Sequence, residues 1–374
     1  MYVATPPQAA AGLQELRRAT ELSPDRAQYW LDLGTACESV SEASCADRAY
    51  EQATVLSPMT PRFQWARANR DLRAGRDAAA LAGFRRLLSL DPAYAPDTYR
   101  LCLDVLHDPE RIFDTILPAS HDPRLRLTYV NFLSQNGQID LAHQYWTKTV
   151  VQGHSFPAQL AVPYLDRLLE LGRGEDAAGA WQDLEKLGGV TSPRGAERRA
   201  PNLVYNGDFE QTPLDLGLDW RVRATPPVLV DFLEAKAYHG ARCLRLDFTL
   251  SSNDEMMPVY QFVPVSPNQS YRLTAYVRSD SLTSDSGPRL RVLDPLCSSC
   301  LSVLGDSTVG STPWHQVTLD FSTGAATHLV HLSVLRLRSR VFPTEITGSF
   351  WLDSVRLERE PSTLARAGGS ESRQ

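Results

Sequence analysis

The motif Leu-(Ser/Asp)-Pro occurs three times at a fixed spacing of 34 residues, beginning at Leu22, Leu56 and Leu90. A period of this length is typical of helix pairs that stack, because each pair buries its apolar face only against its neighbours. The repeat therefore predicts an α-helical solenoid in the N-terminal half of the chain, over residues 1–187.

The first complete unit, residues 27–60, carries large and small side chains at fixed positions. Trp30 and Tyr50 are large, whereas Gly34 and Ala46 are small. A small residue on each helix lets the two backbones approach, while the large ones fill the gap to the next unit. In type and spacing these residues resemble the tetratricopeptide (TPR) repeat.

Later units keep the pattern with changes. In residues 61–94 Ala68 stands where the TPR pattern has Gly, and Phe63 or Trp65 is expected to supply the bulk of the missing Trp. Residues 95–122 are interrupted by prolines and predict an irregular helical pair. The small–large pairs of the last two units follow at a spacing of 35 residues: Ala142 with Trp146, and Ala177 with Trp181.

The TPR resemblance implies a concave face, built from first helices, that holds an extended peptide or a partner helix. The positions of that face are expected to contact a protein partner. They are Arg62, Asn69, Arg73, Arg124, Asn131 and Gln135. A solvated helix face without a ligand is the alternative, and the sequence leaves both open.

Helical periodicity ends in residues 188–201, whose Gly, Pro and charge content predicts a linker. Beyond it, apolar and polar residues alternate with a period of two, which predicts half-buried strands of a jelly-roll β-sandwich over residues 202–360. The clearest examples are residues 244–248, 271–277 and 317–321. The predicted fold class is therefore an all-α TPR solenoid followed by an all-β jelly-roll sandwich, with a disordered tail over 361–374.

Six segments in a fixed order carry a second resemblance. They are residues 202–210, Trp220, and residues 239–246, 271–277, 314–319 and 350–358. In this order they resemble carbohydrate-binding modules of the family 4/9 group, within the galactose-binding-like jelly rolls. The resemblance implies the fold more specifically than it implies sugar binding, since many domains of this class bind no sugar.

The same family commonly holds a structural calcium ion, so the resemblance implies Ca2+ between Glu210 and Asp353, with Asp208 and carbonyl groups of residues 236–239 completing an oxygen shell. Strand parity separately places Asp353 on the side of Val355, so its carboxylate is expected to point inward. A buried carboxylate needs a cation or hydrogen-bond donors. Calcium and satisfaction by backbone N–H groups both stay open.

Glycan contacts follow from parity and from the resemblance. Trp314 alternates with the apolar set Val317 and Leu319, which places its ring on the outer face of the sheet or under a loop. An outward aromatic ring is a platform for a sugar, and Tyr260 and Tyr276 are expected to act in the same way. Trp220 is expected in the core.

Composition narrows the function classes. A net charge of -6 and a pI near 5.8 disfavour nucleic acid as a partner. No apolar stretch is long enough to span a bilayer, and no signal peptide precedes the first helix. Taken alone the chain is expected in the cytoplasm; as a fragment of an exported or membrane protein, it is expected in the periplasm or cell envelope.

Six cysteines are too few for a disulfide scaffold. Cys297 and Cys300 are interpretable as loop thiols, a disulfide or a redox pair, and Cys37 and Cys45 are placed to meet across a helical hairpin. No hydrolase, phosphate-loop or metalloprotease motif is present, which favours a protein that is not an enzyme.

We therefore expect a non-catalytic scaffold in bacterial envelope polysaccharide assembly, with a protein partner on the TPR domain and a glycan on the sandwich. The alternative is a pure protein–protein adaptor whose sandwich binds no sugar.

Overall fold

We describe the chain from a computed structural model that covers residues 6–117, 122–191, 202–223, 228–233, 236–249, 253–342 and 344–361. The chain divides into two compact units, Met1–His154 and Ser155–Gln374. Helices followed by two antiparallel sheets confirm the predicted fold class. Part of the predicted linker, residues 192–201, and the tail beyond residue 361 lie outside the described residues.

The first unit is helical and is built from antiparallel pairs of helices. Its helices are α1 (Pro6–Leu22), α2 (Ala27–Ser39), α3 (Ala43–Leu56), α4 (Pro61–Arg73), α5 (Asp77–Leu90), α6 (Ala95–Leu106), α7 (Pro109–Ile116), α8 (Arg124–Gln135) and α9 (Ile139–Val150). Proline begins α4 and α7, where its missing N–H has no intrahelical partner to lose. Gly137 turns the chain between α8 and α9 with φ +79°.

Close approach within the helix pairs confirms the small–large pattern. A Cβ at Gly34 would lie 2.8 Å from the Tyr50 ring, and Ala46 is fully buried between the same helices. In the next pair Gly83 meets Ala68, where a Cβ would come within 3.0 Å. Phe63 is buried there, which supplies part of the bulk expected in place of Trp.

The second unit begins with a short 3-10 helix (Ala158–Ala161) and the pair α10 (Val162–Glu170) and α11 (Gly174–Lys186). Two five-stranded antiparallel sheets follow, which we call the first sheet (β1-β4-β9-β6-β7) and the second sheet (β2-β3-β10-β5-β8). The strands are β1 (Arg221–Val222), β2 (Val228–Leu233), β3 (Cys243–Phe248), β4 (Met256–Pro264), β5 (Ser270–Leu282), β6 (Arg289–Leu293), β7 (Ser302–Leu304), β8 (Gly310–Ser322), β9 (Leu329–Arg336) and β10 (Gly348–Arg359).

Inward side chains of both sheets form one apolar core, as the period-two segments in β3, β5 and β8 predict. Trp220 is fully buried in this core, as expected. Its indole N–H donates to the Asn206 carbonyl at 3.0 Å.

The last helix pair packs on the sandwich. A Cβ at Gly174 would lie 2.0 Å from the His328 carbonyl oxygen, so the start of α11 touches the backbone before β9. Trp181 meets Tyr205 edge to face at 5.1 Å, and Arg221 pairs with Asp166. The sequence analysis places this helix pair in the helical domain, residues 1–187, and begins the sandwich at residue 202. In the structure, the compact unit that contains the sandwich also contains the helix pair.

Four cysteines form two disulfides. Cys37 of α2 bonds to Cys45 of α3, and Cys297 bonds to Cys300 in the turn before β7. Cys37 and Cys45 therefore meet across the helical hairpin, as expected. Of the three interpretations of Cys297 and Cys300, the structure shows the disulfide.

Candidate functional site: an aromatic cluster on the outer face of the second sheet

Three aromatic rings lie together on the outer face of the second sheet. Tyr276 of β5 stacks on Tyr238 with a centroid separation of 3.6 Å and an interplanar angle of 12°, and Tyr238 lies 5.9 Å from the ring of Trp314. Tyr276 faces outward because its neighbours Ala275 and Val277 point into the core. Tyr238 is 44% exposed. We call these three residues the aromatic cluster.

Tyr260, the third residue expected to contact a glycan, lies elsewhere. It belongs to β4 of the first sheet and is buried, with its ring 4.7 Å from that of His331. Its hydroxyl accepts a hydrogen bond from Arg223 at 2.9 Å. The structure therefore brings Trp314 and Tyr276 together and leaves Tyr260 apart from them.

Asp353 positions the loop that carries Tyr238. Its Oδ2 accepts hydrogen bonds from the backbone N–H groups of Tyr238 at 2.8 Å and His239 at 3.1 Å. Its Oδ1 accepts from the N–H of Ser354. Burial raises the pKa of the Asp353 carboxyl, and these donors oppose that shift.

The predicted direction of the Asp353 side chain was wrong, although its burial was right. The strand register shifts between Asp353 and Arg356, and Ser354 adopts a left-handed conformation with φ +50°. This bulge breaks the parity with Val355. Asp353 stands opposite Tyr276 on the outer face, and the loop of residues 236–242 covers it there.

Glu210 holds the other end of the same loop. Its Oε1 accepts hydrogen bonds from the N–H groups of Ala241 at 2.7 Å and Arg242 at 3.0 Å. Gly240 lies against this carboxylate with φ +77°, and a Cβ there would come within 2.2 Å of Oε1. Two carboxylates therefore fix one loop through its backbone.

The geometry bears on the calcium prediction. The Asp208 carboxylate accepts the Glu210 N–H at 3.4 Å, and within the described residues no group of three His, Cys, Asp or Glu ligand atoms forms around Asp208, Glu210 and Asp353. The groups that bond to the Glu210 and Asp353 carboxylates are N–H donors, which cannot coordinate a cation. The hydrogen bonds fit the second alternative, and calcium binding stays a prediction.

A group of cations borders the aromatic cluster. Trp351 of β10 is only 2% exposed and has Arg245, Arg278 and Lys236 at 5.5, 4.9 and 5.6 Å from its ring centroid. Arg245 and Arg278 are its register neighbours on β3 and β5. We call these four residues the cationic group.

An open cavity of about 350 Å³ lies along the edge strand of the same sheet. It is lined by Thr312, His315 and Gln316 of β8 and by the segment 306–309. Gln316 stands opposite Tyr276 in the sheet register. Polar groups therefore flank the aromatic cluster on the side away from the cationic group.

In the helical unit, the expected partner contacts of α4 make hydrogen bonds within the array. Arg73 donates to both carboxylate oxygens of Glu38 at 2.9 Å, and Arg62 donates to Gln28 at 3.3 Å. The side-chain amide of Asn69 donates to the Trp65 carbonyl at 3.1 Å.

The second set lies on α8. Arg124 and Gln135 are exposed at the two ends of this helix, and Asn131 is half-buried between them. Arg124 has a long ion pair with Asp122 at 3.7 Å.

Solved structures similar to the chain include both classes that the sequence resembles. CBM4 is 11% identical with a TM-score of 0.31, covering 42% of this chain and 99% of its own. TmCBM61, solved with β-1,4-galactotriose, is 17% identical with a TM-score of 0.30, covering 43% and 100%. YrrB, a TPR protein with an unusual peptide-binding site, is 16% identical with a TM-score of 0.24, covering 46% and 91%. No protein-family model and no curated protein matches the chain.

Sequence reasoning did not find Tyr238, Trp351 or the three cations. Tyr238 lies in a loop, where no period indicates its direction. Arg245 and Arg278 did carry a signal, because each alternates with core residues on its strand and so must point outward. Among the described helices, none combines the length and the apolar character that crossing a bilayer requires.

Proposed function

We propose that the chain is a non-catalytic scaffold whose β-sandwich binds a glycan at the aromatic cluster and whose helices dock a protein partner. The aromatic cluster carries the proposal. Its rings are large, rigid and apolar, with tyrosine hydroxyl groups and an indole N–H at their edges, which suits the apolar face and polar rim of a sugar ring. Two carboxylates fix the loop of Tyr238, so the platform exists before a ligand arrives.

Affinity electrophoresis of the full chain through gels that contain single polysaccharides tests the glycan site. Trp314→Ala is expected to abolish retardation, because a sugar stacked on the cluster loses one ring of the platform. Phe342→Ala is the matched control, since Phe342 is an aromatic residue of the sandwich that is 90% exposed. Equal retardation of both variants would place the glycan away from the aromatic cluster. No retardation of the unaltered chain on any polysaccharide would favour a pure protein–protein adaptor.

For the helical unit we propose an extended peptide or a partner helix as the ligand. Arg124 and Gln135 are the better candidates for contacts, since Arg62 and Arg73 already bond within the array. Selection from a displayed peptide library, repeated with the double variant Arg124→Ala and Gln135→Ala, tests this. Unchanged selection would remove α8 from the docking surface.

For the setting we propose the bacterial cell envelope and polysaccharide assembly. Two disulfides support an oxidising compartment, because cytosolic thiols are kept reduced. Mass spectrometry of thiol-alkylated protein isolated from the producing cell checks this. Alkylation of Cys37 and Cys297 without prior reduction would contradict it.

A further inference from the structure

Three positive charges lie around Trp351, and two of them make no ion pair among the described residues although Asp231 stands opposite Arg245 and Asp280 follows Arg278 by two residues. Arg245 donates to Asp247 at 2.8 Å, whereas Lys236 and Arg278 make no ion pair among the described residues. The nearest buried carboxylate, Asp353, has its oxygens engaged by backbone N–H groups. Like charges held close together repel, so this arrangement becomes more favourable when an anion joins it.

Hydrogen-bond donors without acceptors point to the same chemistry. The indole Nε1–H of Trp351 is buried and has no hydrogen-bond partner in the described residues. A buried N–H without an acceptor is costly, and the cations beside it are also pure donors. The cationic group therefore offers several donors and no acceptor, which suits a carboxylate.

Two chain segments each carry one residue of the aromatic cluster and one of the cationic group. Arg278 follows Tyr276 by two residues on the outer face of β5, which is a distance of about 7 Å along a strand. Lys236 precedes Tyr238 by two residues in the fixed loop. An anion at Lys236 and Arg278 is therefore within reach of a sugar unit next to one that stacks on the rings.

We propose that the glycan bound by the sandwich is acidic, with a uronate carboxylate held by Lys236 and Arg278. This inference rests on the proposed glycan function and adds the charge of the ligand. Ring stacking accounts for binding of a sugar chain, and the cationic group selects chains that carry carboxylates at neighbouring units.

The test compares polygalacturonate with its fully methyl-esterified form, which has the same backbone without charge. The full chain is expected to bind the acid at least about tenfold more tightly, because hydrogen bonds to charged groups are the stronger ones. Raising the salt from 50 to 500 mM should reduce that preference. Arg278→Gln and Lys236→Gln should each lose most of it while the methyl ester is bound as before.

Arg272→Gln is the matched control, because Arg272 lies on the same face of β5 but pairs with Asp320 at 2.8 Å. Its affinity for polygalacturonate should not change. Equal affinity for acid and ester, or equal loss in the Arg272 and Arg278 variants, overturns the acidic-glycan inference and leaves a glycan site. If the chain binds neither form of polygalacturonate but is retained by a neutral polysaccharide, the acidic-glycan inference is likewise overturned and the glycan site stands. Retention by RNA alone, or by no polymer, overturns both proposals.

Discussion

Arginines serve different purposes in the helical unit and on the second sheet. In the helical unit, Arg70 and Arg76 both bond to Asp47, and Arg76 also bonds to the buried Asp71 at 2.8 Å. On the outer face of the second sheet, Arg245 and Arg272 also pair with acids, whereas Arg278 lies over an aromatic ring and makes no ion pair among the described residues. Charge that pairs within the fold contributes to stability, whereas unpaired charge beside exposed rings is available to a ligand.

The pKa values agree with this contrast in the helical unit. Hydrogen bonding to Arg76 holds the pKa of Asp47 below its ordinary value, with Arg70 adding to the effect and burial opposing it. The acids and arginines there stabilise one another. The sequence prediction placed Arg73 in the partner site, but its bond to Glu38 belongs to the same network.

The largest effect should come from Trp181→Ala, compared with Trp146→Ala. The two residues occupy equivalent positions in successive repeats, and both are buried. Each truncation should cost about 3 to 5 kcal/mol. In urea unfolding followed by hydrogen exchange, the Trp181 variant should destabilise the sandwich unit and the Trp146 variant the helical unit.

Loss of protection in the helical unit alone, in the Trp181 variant, would contradict the assignment of the last helix pair to the sandwich. It would restore the boundary near residue 187 that the sequence predicts.

The next effect is a pH dependence of the stability of the sandwich unit, which contains His331. Burial, with a smaller contribution from Arg291, lowers the pKa of His331 from 6.5 to about 4. The unfolded chain then binds the extra proton first, so stability is present above pH 6.5 and is lost as the pH falls towards 4. Relative to His331→Gln, the unaltered chain should lose at most about 3 kcal/mol between pH 7 and pH 4.

Denaturant unfolding of both chains across this pH range measures the difference. Asp219, whose pKa burial raises to about 6, has the opposite pH dependence, but it is present in both chains and cancels. Parallel stability curves would show that His331 does not titrate in this window.

A smaller effect tests the contrast between arginines directly. Arg76→Gln should cost about 1 to 2 kcal/mol, because Asp71 is 4% exposed and then keeps, among the residues that the structure describes, only Arg67 as an ionic partner. Arg278→Gln should change the unfolding free energy by less than about 0.5 kcal/mol. Equal costs in thermal melts would mean that Arg278 is structural rather than available to a ligand.

The smallest expected effect is that of a chelator. It separates the two alternatives that stay open for Glu210 and Asp353: satisfaction by backbone N–H groups alone predicts the same melting temperature of the sandwich with EDTA and with added calcium. A rise in melting temperature with calcium that Asp353→Asn abolishes would support the calcium prediction instead.

Repeats and alternation predicted the fold because they report burial directly. The 34-residue period predicted the helix pairs, and the alternation around Leu246, Leu273 and Leu319 predicted three strands. The site was harder, since it depends on local exceptions. A single bulge at Ser354 turned Asp353 outward, and a loop without periodicity supplied Tyr238.

The docking of the last helix pair was also beyond periodicity, because it depends on which surfaces meet. A Cβ at Gly217 would lie 2.2 Å from the Trp181 ring, and nothing in the sequence shows that this space is occupied. Sequence spacing placed Cys37 near Cys45 because both lie within one hairpin.

A crystal structure of the full chain with an oligogalacturonate tests the central claim most directly. The account predicts a sugar ring on Trp314 and Tyr238, with a carboxylate within hydrogen-bond distance of Arg278 or Lys236. A ligand bound on any other surface, or an empty outer face at saturating oligosaccharide, would contradict it.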